Sequence, residues 1–182
     1  MSRIPTPSTT DTAPQGSREL LGAVQKQLGS VPNMFRIISN SPAALEGYLG
    51  LNGALAKGKL DPATRERIAL AVAQVNGCNY CLAAHTYLGE NIAKLTGAEI
   101  LANRKGGSTD AKADAAVRFA VETVNARGKV DADEISKVKA AGYSDAEIVE
   151  IIVHVALNTL TNYVNSTLGT EIDFPTVDTI AA

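Results

Sequence analysis

Residues 60–85 read LDPATRERIALAVAQVNGCNYCLAAH and carry the clearest structural signals in the chain. Asp61 stands before a proline, which places a capping side chain directly before the first residue of a helix. Asn76-Gly77 ends that helix, because glycine tolerates the left-handed conformation needed at a helix end. The stretch therefore predicts two consecutive helices, the second beginning at Cys78-Asn-Tyr-Cys81.

The rest of the chain shows the same pattern of helices separated by caps and glycines. Ser41-Pro42 and the capping box Ser144-Asp-Ala-Glu147 predict two further helix starts. No segment alternates strongly between apolar and polar residues over six positions, so no strand is predicted. The predicted helices are 18–28, 33–39, 43–57, 62–75, 79–95, 98–104, 110–126, 132–141 and 145–168. The last of these is expected to be central to the core through Ile148, Ile151, Ile152, Val155 and Leu160.

The length and composition indicate one all-α domain. Hydrophobic residues make up 45% of the 182 residues, aromatic residues only 4%, and Trp is absent. Abundant Ala with few aromatic residues favours close-packed helices over a sheet. We expect residues 1–16, rich in Ser, Thr and Pro, to form a flexible arm or a strap on a neighbouring subunit. Residues 17–182 are expected to form a single helical domain.

From the charge pattern and the N-terminal residues we expect neither a nucleic-acid-binding protein nor a secreted or membrane-spanning one. A net charge of −2 provides no basic surface for nucleic acid or an anionic membrane. The N-terminus has no apolar segment of a signal peptide, and the apolar stretch 148–160 is too short to span a bilayer. We therefore expect a cytoplasmic protein. Its tail at 171–175 is expected to be an extended lid or an interface segment.

Both cysteines of the chain, Cys78 and Cys81, lie within four residues. In a cytoplasmic protein such a pair indicates redox or metal chemistry more than a structural disulfide. His85 shares a helical face with both cysteines, and the helix N-terminus lowers the pKa of a nearby thiol. His85 can therefore accept the proton of Cys81 or stabilise its thiolate, and the two cysteines can close into a disulfide.

Other candidate residues surround this pair. Glu66 shares a face with small and apolar residues of its helix, which would suit a carboxylate that relays protons; the alternative is a surface Glu paired with Arg65 or Arg67. Tyr80 is expected to pack or hydrogen-bond beside the cysteines, and its hydroxyl is a candidate catalytic group. His154, between two valines, is expected to be a satisfied core histidine.

Two further patterns leave alternatives open. A polar seam on the last helix, formed by Asn158, Asn162, Asn165 and Tyr163, indicates buried hydrogen bonding or a subunit contact. A Cys₂His₂ zinc site is a second hypothesis, because it would use every cysteine and histidine of the chain, namely Cys78, Cys81, His85 and His154.

Residues 60–85 resemble the core motif of the AhpD-like alkylhydroperoxidases within the carboxymuconolactone decarboxylase family. Two further pairs of segments are similar to the peroxidase-related branch of this family. Upstream these are residues 31–35 (VPNMF) and 41–42 (SP), and downstream they are residues 161–163 (TNY) and 170–175 (TEIDFP). The resemblance runs from about residue 18 to residue 175. It implies a compact all-helical fold that assembles as a homo-oligomer, commonly a trimer or a hexamer built from dimers.

The resemblance also implies a thiol-dependent peroxidase without a cofactor or metal. Cys81 would be the peroxidatic nucleophile and Cys78 the resolving cysteine, while Glu66 and His85 would relay protons with a bound water. The substrate would be an organic hydroperoxide or hydrogen peroxide, and an external dithiol of lipoyl type would be the reductant. Tyr80 stands where the best-known family member has a histidine. The alternative function is redox sensing or disulfide exchange without efficient turnover.

Overall fold

The fold is described here from a computed structural model, and the structure describes residues 1–178. These residues form nine helices and no strand, as the sequence predicts. Predicted and observed boundaries agree within four residues. The helices are α1 Gln15–Leu28, α2 Asn33–Ile38, α3 Pro42–Leu55, α4 Pro62–Val75, α5 Asn79–Asn91, α6 Gly97–Arg104, α7 Ala111–Asn125, α8 Ala132–Ala140 and α9 Asp145–Leu168.

Helix α4 is the centre of the fold and packs against α5, α6, α7 and α9. Its start is fixed by Asp61, whose side chain accepts a hydrogen bond from the backbone N–H of Thr64 at 2.9 Å. Residues 68–73 are all buried, since other helices surround this one. Gly77 follows the helix with a φ of 64°, which turns the chain sharply into α5.

Helix α9 contributes only one face to the core. Ile148, Ile151 and Val155 are buried as predicted, but Ile152 and Leu160 are 40% and 44% exposed. The prediction was wrong for these two because the buried face of the helix continues into asparagines, which leaves Ile152 at the edge of that face and Leu160 on the opposite side. Although α9 has 24 residues, no helix among residues 1–178 is long and apolar enough to cross a membrane.

Helix α5 ends earlier than predicted, at Asn91 instead of residue 95. Lys94 adopts a positive φ of 59°, which is incompatible with a continuing helix. Thr96 then begins α6 by accepting a hydrogen bond from the backbone N–H of Glu99. The residues between the two helices therefore form a tight connection.

The N-terminal segment lies against the body of its own chain. The backbone N–H of Arg3 donates to the carbonyl of Leu168 at 2.7 Å, and the Asn40 amide donates to the carbonyl of Pro5 at 2.9 Å. Ala13 is buried. The flexibility expected of residues 1–16 stays a prediction, as does the single-domain assignment of 17–182, whose last four residues lie outside the described part.

Candidate active site

The two cysteines lie at the N-terminus of α5 and are almost completely buried, with 1% and 3% exposure. Their Cα atoms are 5.3 Å apart, and their sulfurs are at disulfide distance. Cys78 is the N-cap of the helix, so its Sγ accepts a hydrogen bond from the backbone N–H of Cys81 at 3.3 Å. The turn at Gly77 thus places both sulfurs where a helix end provides N–H donors.

Glu66 and His85 form a hydrogen-bonded pair between α4 and α5. Glu66 Oε2 lies 2.8 Å from His85 Nδ1, and the two side chains are 22% and 21% exposed. Neither arginine named as an alternative partner takes this carboxylate. Arg67 pairs instead with Glu99 at 2.7 Å, and Arg65 donates to the Leu55 carbonyl.

Tyr80 connects the cysteine turn to the C-terminal segment. Its hydroxyl donates to Asp173 Oδ1 at 2.9 Å and accepts from the Met34 backbone N–H at 3.1 Å. Burial and the charge of Asp173 raise the pKa of Tyr80, against the effect of the Met34 N–H. The Tyr80 ring also meets Phe174 edge to face, with centroids 5.8 Å apart. These contacts favour a structural role for the hydroxyl.

Residues 170–178 contain no helix and lie against α2 and α5. Asp173 holds this segment in place, since its Oδ2 accepts from the backbone N–H of Asn33 at 2.8 Å while its Oδ1 binds Tyr80. Sequence reasoning predicted an extended segment here but did not single out Asp173. No local pattern could have identified it, because its partners are 140 and 93 residues away.

The predicted polar seam of α9 faces the cysteine turn through two of its asparagines. Asn165 Nδ2 donates to Cys81 Sγ at 3.4 Å, and Asn162 Oδ1 accepts from the amide of Asn76 at 2.9 Å. Asn158 instead donates to the His154 carbonyl within α9. The fourth predicted member, Tyr163, is 61% exposed and lies outside the buried seam.

Tyr48 of α3 is a further group near the site that sequence reasoning missed. Burial and the charge of Glu66 raise its pKa to about 12. Its ring packs edge to face against Phe35, with centroids 5.8 Å apart. The side chain therefore stays protonated at neutral pH near the Glu66 carboxylate. No motif marks this tyrosine, since its position depends on how α3 packs.

His154 is a buried core residue, as predicted, with 6% exposure. Burial, and then the charge of Arg65, lower its pKa to about 4, which keeps the ring neutral. The expectation of a fully satisfied histidine was wrong, because Nε2 has no hydrogen-bond partner within residues 1–178. No three His, Cys, Asp or Glu side chains in this part of the chain are arranged to hold a metal ion. The zinc hypothesis thus lacks its ligand set.

Residues 42–126 match the family model of the carboxymuconolactone decarboxylase family. This segment is similar to that family. It runs from the start of α3 to the end of α7 and contains Glu66, both cysteines and His85. The family resemblance predicted from the sequence is confirmed. A comparison with curated protein sequences finds no match to the chain.

Solved structures share this family fold over nearly the whole chain. One, described as the alkylhydroperoxidase AhpD core, is an uncharacterized peroxidase-related protein from Ralstonia eutropha JMP134. It has a TM-score of 0.83 and 25% identity, covering 94% of this chain and 92% of its own. An uncharacterized peroxidase-related protein from Silicibacter sp. TM1040 has a TM-score of 0.80 and 23% identity, and the match covers 93% of this chain and 91% of that protein.

A third similar structure is a variant of the debrominase Bmp8, with one cysteine replaced by alanine, in complex with 2,3,4-tribromopyrrole. It has a TM-score of 0.79 and 19% identity, covering 95% of this chain and 94% of its own. Together these structures establish an AhpD-like all-helical fold. They also show that different chemistries occur on this fold.

Proposed function

We propose that this protein is a thiol-dependent peroxidase that cycles between a Cys78–Cys81 dithiol and its disulfide. The observation that carries the proposal is the placement of a buried cysteine pair at a helix N-terminus, on the same helix as His85, which Glu66 binds at 2.8 Å. Thiols, a proton acceptor and a carboxylate are the groups that thiolate-based peroxide reduction needs. The AhpD-like fold supports the same assignment.

The chemistry begins with the Cys81 thiolate. It attacks the terminal oxygen of the hydroperoxide, the O–O bond breaks, and the alkoxide takes a proton and leaves as an alcohol. Cys81 is oxidised to a sulfenic acid. The Cys78 thiolate then attacks the Cys81 sulfur, and the hydroxyl group leaves as water with one proton. The resulting disulfide is reduced by an external dithiol, which supplies two electrons and two protons.

His85 and Glu66 supply the proton transfers in this scheme. The Glu66 carboxylate accepts the Nδ1–H of His85, which leaves Nε2 as the basic nitrogen of the ring. That nitrogen takes the Cys81 proton and later gives it to the leaving alkoxide. Tyr80, in contrast, holds the C-terminal segment on the site through Asp173. We assign to it the role of positioning α5.

The remaining parts of the proposal concern partners and assembly. The external reductant is a lipoyl-type dithiol, and no cofactor is required beyond the two cysteines. The protein acts in the cytoplasm as a homo-oligomer, a trimer or a hexamer. The reductant and the assembly follow the family resemblance, whereas the cytoplasmic location follows the charge and the N-terminal residues. Size-exclusion chromatography with light scattering measures the assembly directly.

The test compares wild type with Cys81→Ser and Cys78→Ser, using cumene hydroperoxide and dihydrolipoamide. We expect Cys81→Ser to abolish turnover, and Cys78→Ser to accumulate a sulfenic acid at residue 81 that dimedone traps for mass spectrometry. Undiminished turnover by Cys81→Ser would contradict the proposal. Stoichiometric oxidation of wild type without turnover, with a changed assembly, would favour a redox sensor. Bromide release from 2,3,4-tribromopyrrole would instead favour dehalogenation.

A further inference from the structure

Asn165 is the side chain of α9 that reaches the cysteine pair. It is 2% exposed, and its Nδ2 lies 3.4 Å from Cys81 Sγ. It belongs to the last long helix, outside the matched family segment of residues 42–126. The contact therefore adds a group from a distant part of the chain to the site.

The two sulfurs have different hydrogen-bond donors. Cys78 Sγ accepts from a backbone N–H at the start of α5, a donor that the helix end provides whatever the side chains are. Cys81 Sγ accepts from the side chain of Asn165. The donor to Cys81 thus depends on which side chain occupies position 165. Replacing Asn165 removes this donor and leaves the backbone donor to Cys78 in place.

A buried thiolate requires such a donor. Burial raises the pKa of a thiol because it disfavours the charged form, and a hydrogen bond to the charged form lowers the pKa. Hydrogen bonds to ionised acceptors are about twice as strong as neutral ones. Asn165 therefore stabilises negative charge on the Cys81 sulfur more than it stabilises the neutral thiol.

The contact to Cys81 leaves the other polar atom of the Asn165 amide without a hydrogen bond in the described part of the chain. Asn165 Oδ1 has no hydrogen-bond partner within residues 1–178, so the contact of the side chain to Cys81 is its one hydrogen bond there. A buried amide with an unpaired oxygen costs stability. The neighbouring Asn162 holds α9 to the end of α4 through Asn76, which keeps Asn165 beside the cysteine turn.

We propose that Asn165 is a catalytic residue that donates a hydrogen bond to the Cys81 thiolate and so makes Cys81 the attacking sulfur. The inference rests on the proposed dithiol function. The other titratable groups around the site are Glu66, His85, Tyr48, Tyr80 and Asp173. None of them hydrogen-bonds to either sulfur in the described part of the chain. Asn165 is accordingly the side chain within residues 1–178 that donates a hydrogen bond to Cys81 Sγ.

The test measures thiol ionisation in the reduced protein without peroxide. Wild type, Asn165→Leu and Asn165→Asp are treated with iodoacetamide from pH 5 to pH 10, and tandem mass spectrometry locates the modified cysteine. We expect Cys81 to react first in wild type. Its midpoint should rise by about one pH unit in Asn165→Leu, a tenfold loss of thiolate, and further in Asn165→Asp, which places a carboxylate at the sulfur.

Asn158→Leu is the matched control, because Asn158 is buried on the same helix but donates to the carbonyl of His154. Its profile should equal that of wild type. An unchanged Cys81 midpoint in a folded Asn165 variant, or first reaction at Cys78 in wild type, overturns the proposal. Asn165→Asp keeps the shape of the side chain and serves if Asn165→Leu does not fold.

The thiol-ionisation test of Asn165 can be distinguished from the turnover test of the proposed peroxidase activity. A shifted midpoint in a protein that does not turn over peroxide rejects the peroxidase activity and keeps the role of Asn165. An unchanged midpoint in an active peroxidase rejects only the role of Asn165.

Discussion

Glu66 Oε2 and His85 Nδ1 lie 2.8 Å apart, which joins the central helix α4 to the cysteine-bearing helix α5. The carboxylate fixes which ring nitrogen carries the proton, because Nδ1 must donate to it. The basic Nε2 is then directed away from Glu66. The two residues are separated by 19 positions, and the sharp turn at Gly77 brings their helices side by side.

Glu66→Gln should lower peroxide turnover by about a hundredfold, since it removes the carboxylate that accepts a hydrogen bond from His85 Nδ1 and orients the ring for proton transfer. Steady-state rates with cumene hydroperoxide measure this effect. Glu46→Gln, an exposed position on α3, serves as the control and should keep the wild-type rate. Equal rates for wild type and Glu66→Gln would remove this pair from the proton relay.

Tyr80→Phe should destabilise the protein by about 1–2 kcal/mol, because Asp173 and the Met34 N–H lose a buried partner. We also expect faster amide exchange in residues 170–178, with peroxide turnover within about twofold of wild type. Urea unfolding and hydrogen exchange measure the two effects. Tyr163→Phe, at an exposed tyrosine, should change neither. A large loss of turnover at unchanged stability would instead make the Tyr80 hydroxyl a catalytic group.

Gly77→Ala should destabilise the fold by about 1 kcal/mol, since its φ of 64° is unfavourable for a residue with a Cβ atom. Gly47→Ala is the matched control, because a Cβ there lies inside helix α3 and meets no atom within 4 Å. It should stabilise the protein by about 0.5–1 kcal/mol. Thermal unfolding of both variants checks the sign. Unchanged or increased stability of Gly77→Ala would show that alanine does not strain the turn.

The carboxylate of Glu99 should make the free energy of unfolding depend on pH. It is buried, and although burial raises its pKa, hydrogen bonds from Ser108, Thr109 and Asn103 lower the pKa from 4.5 to about 2. A lowered carboxyl pKa adds stability above about pH 4.5, which is lost as the pH falls toward 2. The shift corresponds to about 3 kcal/mol.

Urea unfolding from pH 6 to pH 2 measures this contribution. The free energy of unfolding of wild type should fall by about 3 kcal/mol more than that of Glu99→Gln over this range. Glu171→Gln, an exposed position, should follow wild type. Parallel curves for wild type and Glu99→Gln would show that other groups carry the acid sensitivity.

The helices were predictable because their signals are local. Ser41, Asp61 and Ser144 each accept the backbone N–H three residues later, as their positions before helical segments predict. The errors occurred where local signals were weak. The end of α5 depends on the conformation of Lys94, and the exposure of Leu160 depends on which side of α9 meets the core.

Only those residues of the candidate site that belong to one sequence motif could be identified from the sequence. Cys81 and His85 lie on one helix, Cys78 is the N-cap of that helix, and Glu66 lies on the helix before it. The roles assigned to these residues remain proposals. Asn165 was visible only as part of a polar seam, since its 84-residue separation from Cys81 gives no pattern that relates the two.

The sequence by itself determined the helical class, the turn at Gly77 and the placement of two cysteines at a helix start. Helix caps, glycines and apolar spacing act over a few residues, so they can be recognised without knowing the fold. Only the tertiary structure decided that Glu66 faces His85, that Asp173 holds Tyr80 and that Asn165 donates to Cys81. Those contacts depend on how α3, α4, α5 and α9 pack together, and packing is a property of the whole chain.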